Sequence, residues 1–208
     1  MSSSTFQLSN RRRLHRGDHL QVRRPLGYSH HGIYISEERV IQFGGGLEGK
    51  RDASIEAVSL AEFERDGEAQ IVVHDGRSAL VGMWLPKADP PERIVERAEW
   101  LLENHPPRGR YNLIGNNCEH AANFCVAEYT ESLQVRRFLL GKACAETLVM
   151  MCTASVAGTS RSLPRRWILT ATLAGALLTI SYHLHIRQFW REVGARWRAH
   201  DRAGRKSG

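Results

Sequence analysis

A cysteine flanked by polar residues stands where the sequence predicts a helix to begin. Residues 116–120 read Asn-Asn-Cys-Glu-His, and an alanine-rich segment with helical spacing continues to about Tyr129. The N-terminus of a helix carries partial positive charge, which lowers the pKa of a nearby thiol and favours the nucleophilic thiolate. Cys118 is therefore predicted to be the nucleophile of a thiol-dependent enzyme.

A thiol nucleophile needs a base within hydrogen-bonding distance, and a β-prone segment far upstream offers an imidazole. His30 opens the run His-His-Gly-Ile-Tyr-Ile, and Gln42 lies in a second β-prone run after a short turn at 36–38. Adjacent antiparallel strands bring residues of this spacing to one face, where Gln42 would orient the imidazole and fix its tautomer. His31 competes with His30, because neighbouring strand residues point to opposite faces and only one can face Cys118.

Other chemically capable residues have structural explanations. His120 lies two positions after Cys118, which on a helix points its ring away from the sulfur, so we expect it and Glu119 to support the helix start. The remaining cysteines form no CxxC pair and are expected to be small buried side chains in a reducing compartment, namely Cys125, Cys144 and Cys152.

A zinc site can be drawn from the histidines and the candidate nucleophile, but its spacing matches no usual ligand pattern. The residues concerned are His30, His31, Cys118 and His120. The three glycines at 44–46 are followed by no phosphate-binding signature. We therefore predict neither a metal nor a cofactor.

Periodicity predicts the elements that must position these side chains. Leu20 and Val22 alternate with polar residues, and the runs 33–35 and 40–43 continue a β-meander. A further strand is expected at 71–73. Ser59 has the features of an N-cap for a short helix. Glu62, three residues later, stands at the position whose side chain bonds back to the N-cap in a capping box. An amphipathic helix is predicted over 92–104 and the cysteine-bearing helix over 118–129, with apolar residues at helical spacing.

The chain has 208 residues, a net charge of +7 and a pI of about 9.6. Arg11–Arg13 open the chain, and basic residues crowd its last twenty positions. Such charge attracts anionic surfaces, and because no nucleic-acid motif accompanies it we favour lipid headgroups over nucleic acid. The N-terminus is polar and lacks the apolar segment of a secretory signal peptide.

Two apolar segments follow the cysteine-bearing helix. Residues 143–158 are moderately apolar and predict an interfacial or membrane-associated helix. Residues 167–186 carry no formal charge, have aromatic residues near their ends and are flanked by arginines, which is typical of a transmembrane helix. A single span would leave the catalytic domain in the cytoplasm, whereas the two segments together could form a hairpin.

Three segments resemble the signature blocks of the lecithin:retinol acyltransferase family, and the resemblance covers roughly residues 15–130. The blocks are His-His-Gly-Ile-Tyr-Ile at 30–35, Arg-Val-Ile-Gln at 39–42 and Asn-Cys-Glu-His at 117–120. The resemblance implies a circularly permuted papain-like fold in which the histidine precedes the cysteine. It also implies transfer of an acyl chain from a phospholipid to a cysteine, and then to an alcohol, an amine or water.

Carried over by position, the resemblance implies that His30 is the base and Cys118 the nucleophile. It implies that Gln42 is the third polar group, which orients the imidazole. Two residues depart from the family pattern. Gln42 stands where many members have histidine, so it can orient an imidazole but cannot carry charge. Ala121 stands where phenylalanine is common, which changes packing beneath the helix.

The sequence thus predicts an α+β protein with a permuted papain-like domain, whose antiparallel sheet packs on the cysteine-bearing helix, and a C-terminal membrane anchor. Its expected parts are a disordered N-terminus (1–14), the catalytic domain (15–138), the apolar helix (143–158), the anchor (167–186) and a basic tail (187–208). The expected function is a membrane-anchored thiol acyltransferase or phospholipase, with phospholipid as substrate. A papain-like peptidase or amidase and a catalytically vestigial, membrane-bound interaction module are the alternatives.

Overall fold

A computed structural model describes residues 13–24, 28–44, 53–74, 78–80, 83–84, 86–104, 116–129 and 187–206, with single residues 132, 135, 141 and 184. The strands are β1 (His19–Arg23), β2 (Ser29–Ser36), β3 (Arg39–Gly44), β4 (Ser54–Val58), β5 (Gln70–Ile71), β6 (Ser78–Leu80) and β7 (Met83–Trp84). The helices are α1 (Leu60–Phe63), α2 (Pro91–Asn104), α3 (Cys118–Ala127) and a C-terminal helix, α4, described over 187–204. The domain is therefore α+β, as predicted.

The main sheet has five strands in the order β4-β3-β2-β1-β5, and every neighbouring pair is antiparallel. The predicted β-meander is confirmed in β1, β2 and β3. β5 begins at Gln70 and is shorter than the strand predicted over 71–73. β4 had no counterpart among the predicted elements, and it covers the edge of β3 with five paired positions.

Strand alternation gives the sheet two faces with separate cores. The face that we call the α3 face packs against α2, α3 and α4, and its core strand residues are Ile33, Ile35, Ile41, Phe43 and Ile55. The opposite face, which we call the α1 face, packs against Leu60 and Phe63 of α1, and its strand residues are Leu20, Val22, Tyr34 and Val40. Consecutive residues of β2 therefore belong to different cores.

Gly32 has a physical role in the centre of β2. A Cβ atom built at this position would lie 2.9 Å from ring atom Cε2 of Phe63 and 2.9 Å from Cγ1 of Val40. Contacts this short force neighbouring atoms to move, so a side chain at position 32 would push α1 away from the sheet. The glycine lets α1 pack directly on the strand that carries both histidines.

α1 and α2 follow their sequence signals. The Ser59 hydroxyl accepts a hydrogen bond from the Glu62 N–H at 3.1 Å, which is the predicted N-cap. In α2, the predicted apolar positions Ile94, Val95, Ala98 and Leu101 are buried. Arg97 is also buried, and its guanidinium donates to the backbone carbonyl of Cys125 and pairs with Asp89. This arginine ties α2 to the end of α3.

The segment expected to be a basic tail includes a packed helix. Trp190, Val193 and Trp197 of α4 are buried in the same core as α2 and α3. Asp201 accepts two hydrogen bonds from Arg93 of α2, at 2.8 and 2.9 Å. The arginines lie mostly on the outer surface, so the sequence expectation recognised the charge but missed the apolar stripe beneath it.

Several predicted segments lie outside the described residues. These are most of the N-terminal segment 1–14, the apolar helix 143–158 and, apart from Leu184, the span 167–186. Among the residues that are described, no helix combines the length and apolar character needed to cross a bilayer. The membrane anchor therefore stays a prediction from hydropathy.

Candidate functional site

Cys118 is the first residue of α3, and the residue before it caps the helix. The side-chain oxygen of Asn117 accepts hydrogen bonds from the backbone N–H groups of Glu119, at 3.0 Å, and His120, at 3.1 Å. The predicted helix start at the cysteine is confirmed. Because Cys118 stands in the first turn of a ten-residue helix, the partial positive charge of the helix end favours its thiolate.

The thiol of Cys118 lies against the start of β2. Its Sγ atom is 3.9 Å from the backbone carbonyl oxygen of Ser29, and the residue is only 3% exposed. A cavity of about 10 Å³ beside it is lined by strand and helix residues that include His31, Gln42 and Ala122. This volume holds about one water molecule.

His30 and Gln42 are brought together, as the strand pairing predicted. Nε2 of His30 lies 2.6 Å from the side-chain oxygen of Gln42, and Nε2 of Gln42 donates to Glu56 at 2.9 Å. Since the Gln42 oxygen accepts, Nε2 of His30 carries the proton. Burial lowers the pKa of His30 to about 4, although the bond to Gln42 opposes this shift. The His30 ring packs 5.4 Å from that of Phe63, on the α1 face.

His31 lies on the α3 face, where Cys118 also lies. Its Nδ1 atom is 2.9 Å from Nε2 of His19, and Nδ1 of His19 is 2.7 Å from Nε2 of His74. Burial lowers the pKa of His31, with Glu119 opposing the shift. Burial, with the neighbouring imidazoles, holds the pKa of His19 well below its ordinary value. Within the described ranges, no three side chains converge in a metal-binding arrangement.

The structure therefore groups the candidate residues differently from the sequence expectation. Hydrogen bonds join His30 and Gln42 to Glu56, whereas the cavity beside Cys118 is lined by His31 and also by Gln42, so the two histidines of β2 are separated. The alternation of β2 explains the separation, because His30 shares its face with Tyr34 and His31 shares its face with Ile33. The catalytic roles of His30, Gln42 and Cys118 stay predictions.

The residues after Cys118 support the helix start, as their position suggested. Nδ1 of His120 donates to the Asn117 oxygen at 2.9 Å, and its ring stacks on Trp190 of α4 with 6.3 Å between centroids. Glu119 is buried and accepts a hydrogen bond from the Ser132 hydroxyl. Burial raises the pKa of Cys125 to about 12, which suits the structural role predicted for that thiol.

Sequence reasoning missed His19 and His74. His19 precedes the alternating residues Leu20 and Val22, and that alternation places it on the face opposite theirs, together with His31. This signal was present in the sequence. His74 lies beyond the end of β5 and reaches His19 through irregular backbone, so no periodicity pointed to it.

A helix-start cysteine packed against a histidine-bearing strand is an arrangement used by enzymes with thiol nucleophiles. The sequence model of the lecithin retinol acyltransferase family matches residues 12–131, which is more than half of the chain. The chain therefore belongs to the lecithin retinol acyltransferase family. Membership suggests an enzyme with acyltransferase or phospholipase type activity. The comparison with curated proteins finds no relative whose sequence matches this chain.

Proposed function

We propose that this protein is a thiol-dependent acyltransferase or acyl-ester hydrolase that takes its acyl chain from a phospholipid. The observation that carries the proposal is the position of Cys118, at the capped N-terminus of α3 and beside a histidine of β2. The permuted papain-like arrangement, with histidine strand before cysteine helix in the chain, is part of the same proposal. Family membership supplies the acyl substrate class.

The proposed reaction consists of two acyl transfers, the first from the lipid to the sulfur of Cys118 and the second from that sulfur to an acceptor. An imidazole takes the Cys118 proton, and the thiolate attacks the ester carbonyl carbon of the lipid. The carbon–oxygen bond breaks, the departing alkoxide takes a proton from the imidazolium, and a thioester remains on Cys118. An acceptor alcohol, amine or water then attacks the thioester after losing its proton to the same imidazole, and the thiol is restored.

We further propose that the protein works at a membrane surface. The outer surface of α4 exposes basic side chains, including Arg191, Arg196, Arg198, Arg202 and Arg205, of which Arg198 pairs with Glu128 and Arg205 pairs with Asp201. Basic residues near an anionic bilayer contribute about 1 kcal/mol each at moderate salt. Two acidic residues of the helix, Glu192 and Asp201, reduce the net attraction.

The test is mass spectrometry of the full chain after brief exposure to phosphatidylcholine vesicles and acid quenching. We expect an added acyl mass on the peptide that contains Cys118, released by hydroxylamine and absent from Cys118→Ser. Cys125→Ser is the matched control, because that thiol is also buried and its raised pKa disfavours the thiolate. An adduct that survives in Cys118→Ser, or wild-type protein with neither adduct nor released fatty acid, would contradict the proposal.

A further inference from the structure

We propose that Glu56 is a positioning residue of the thiol reaction, which acts through Gln42 to set the tautomer of the His30 imidazole. This inference rests on the proposed function and on the base that the family pattern implies, which is His30. Three observations support it: the cross-strand hydrogen bonds that join the three side chains, the chemistry of a carboxylate that faces an amide, and the space that Gly44 leaves beside them.

The first observation is the position of the three side chains on neighbouring strands. Gln42 of β3 is directly opposite Glu56 of β4 in the sheet register. Opposite residues of an antiparallel pair share a face, so the amide and the carboxylate lie side by side. Nε2 of Gln42 donates to Glu56 at 2.9 Å, and the side-chain oxygen of Gln42 is 2.6 Å from Nε2 of His30. The amide of Gln42 therefore bridges the carboxylate and the imidazole.

The second observation is that the carboxylate gives this series of bonds a direction. An ionised carboxylate only accepts hydrogen bonds, so the NH₂ group of Gln42 must face Glu56. The other end of the amide is then its oxygen, which also only accepts, so Nε2 of His30 carries the hydrogen. Burial lowers the pKa of His30 to about 4, so the ring is neutral near pH 7 and Nδ1 is its unprotonated nitrogen. Without Glu56 the amide could turn over, and its NH₂ group would then favour the opposite tautomer.

The third observation is the space beside the bond between amide and carboxylate. Gly44 lies two residues after Gln42 on β3, and alternation places both positions on the same face. A Cβ atom built at Gly44 would collide with the carboxylate of Glu56 and would lie 2.8 Å from Nε2 of Gln42. Even a methyl group at this position would therefore displace the two atoms that form the bond. The glycine leaves the room that the bond between the two strands requires.

The three side chains lie close to the sulfur that the proposed reaction uses. Gln42 lines the cavity beside Cys118. The sulfur is 3.9 Å from the carbonyl oxygen of Ser29, which is the residue immediately before His30. Glu56 is bonded to the other end of the Gln42 amide, so it acts on the reaction through that amide.

In the proposed reaction, the S–H proton of Cys118 moves to Nδ1 of His30 while Nε2–H of His30 stays bonded to Gln42. The proton then passes from Nδ1 to the departing alkoxide, and a proton from the acceptor or water takes the same route in the second half. The carboxylate of Glu56 polarises the amide, which strengthens its oxygen as an acceptor for the imidazolium. Gln42 carries no charge, and Glu56 places a negative charge behind it.

Other charged groups face His30, and the test must separate their effects from that of Glu56. Arg24, at the end of β1, and the neighbouring His31 disfavour the imidazolium, whereas Asp66, after α1, favours it. These groups change the pKa of the whole ring. A hydrogen bond acts at one ring nitrogen, so it selects the tautomer. The tautomer of neutral His30 is therefore the property that reports on Glu56.

The test reads this tautomer by NMR at pH 7.5 in the full chain labelled with ¹⁵N at histidine, where His30→Gln identifies the His30 signals. We expect wild type to have a protonated Nε2 and an unprotonated Nδ1, and a hydrogen on Nδ1 would overturn the proposal without any variant. Glu56→Ala should move both signals towards the average of the two tautomers. Gly44→Ala, which keeps the carboxylate but displaces it, should move them in the same direction.

The second readout is the rate of acyl-adduct formation on Cys118 with phosphatidylcholine vesicles. Glu56→Ala should lower the maximal rate about threefold to tenfold, the equivalent of one net hydrogen bond, and leave the vesicle concentration at half-maximal rate unchanged. Glu68→Ala is the matched control, because it removes an exposed glutamate, and it should change neither the tautomer nor the rate. Ring signals of His30 that are the same in Glu56→Ala as in wild type would refute the proposal.

The two proposals fail separately, because the tautomer is measured without substrate. If Glu56→Ala shifts the His30 signals but wild type never acquires an acyl group, the effect of Glu56 on the tautomer stands and the acyl function falls. If wild type is acylated and Glu56→Ala is acylated at the same rate, the acyl function stands and the positioning role of Glu56 is wrong.

Discussion

Acid should destabilise this fold through His30, and the size of the effect follows from its burial. The pKa of His30 falls from its ordinary value of 6.5 to about 4 in the folded protein. Below pH 6.5 the unfolded chain binds a proton at this position, whereas the folded protein does not until about pH 4. The free energy of unfolding therefore falls as the pH falls through this window.

The size of this loss of stability follows from the difference between the titration curves of His30 in the unfolded and folded states. For the pKa values 6.5 and about 4, proton linkage gives a loss of about 2 kcal/mol at pH 5 and about 3 kcal/mol at pH 4, relative to pH 7.5. His30→Gln removes this titration while its amide can still donate to Gln42. We expect the variant to lose about 2 kcal/mol less than wild type between pH 7.5 and pH 5.

The assay is urea denaturation followed by circular dichroism, at pH 7.5 and pH 5, for both proteins. Each protein serves as its own control, because at pH 7.5 the imidazole is neutral in the folded and unfolded states. The buried His19 and His31 add acid sensitivity to both proteins equally, so the difference isolates His30. The reasoning is wrong if both proteins lose the same stability on acidification.

Three further substitutions test the supports of α3, each by urea denaturation at pH 7.5. Asn117→Ala should lower the free energy of unfolding by about 1–2 kcal/mol through loss of the cap, while Asn117→Asp should retain most of it; equal losses would argue against the cap. Arg97→Met should cost about 3 kcal/mol, because the buried carbonyl of Cys125 loses its charged donor, and an unchanged midpoint would contradict this. Trp190→Ala should cost about 3–5 kcal/mol, whereas Arg191→Ala on the exposed side should cost less than about 0.5 kcal/mol; similar effects would show that α4 is not packed in solution.

The elements that position the site were predictable where local signals agree. The alternation at Leu20 and Val22 and the spacing of apolar residues along α2 reflect burial on one face. The hydrophobic periodicity of the sequence was therefore sufficient to predict both elements. Asn117 and Ser59 are caps whose side chains bond to backbone two or three residues away. Signals of this kind are local in the chain and need no knowledge of the tertiary fold.

The site itself depends on long-range packing, which no local signal specifies. Which of His30 and His31 lines the cavity beside Cys118 depends on which face of β2 receives α3, and that is decided by residues more than eighty positions away. The packing of Ile33 and Ile35 beneath α3 places His31 there, although the motif position predicts His30 as the base. The apolar stripe of α4 was difficult to recognise because its buried hydrophobic side chains, Trp190, Val193 and Trp197, are scattered through a strongly basic segment.

The packing of α4 has a topological consequence for the chain between it and α3. Trp190 stacks on His120 and contacts Phe124, so the two ends of the interval 130–186 are fixed to one body. A chain that leaves a body and rejoins it must cross any intervening barrier an even number of times. If residues 167–186 enter a bilayer, either a second crossing accompanies them or they turn back on the side from which they entered. A lone span through the membrane would pull α4 out of the core, with the loss of Trp190, Val193 and Trp197 from it.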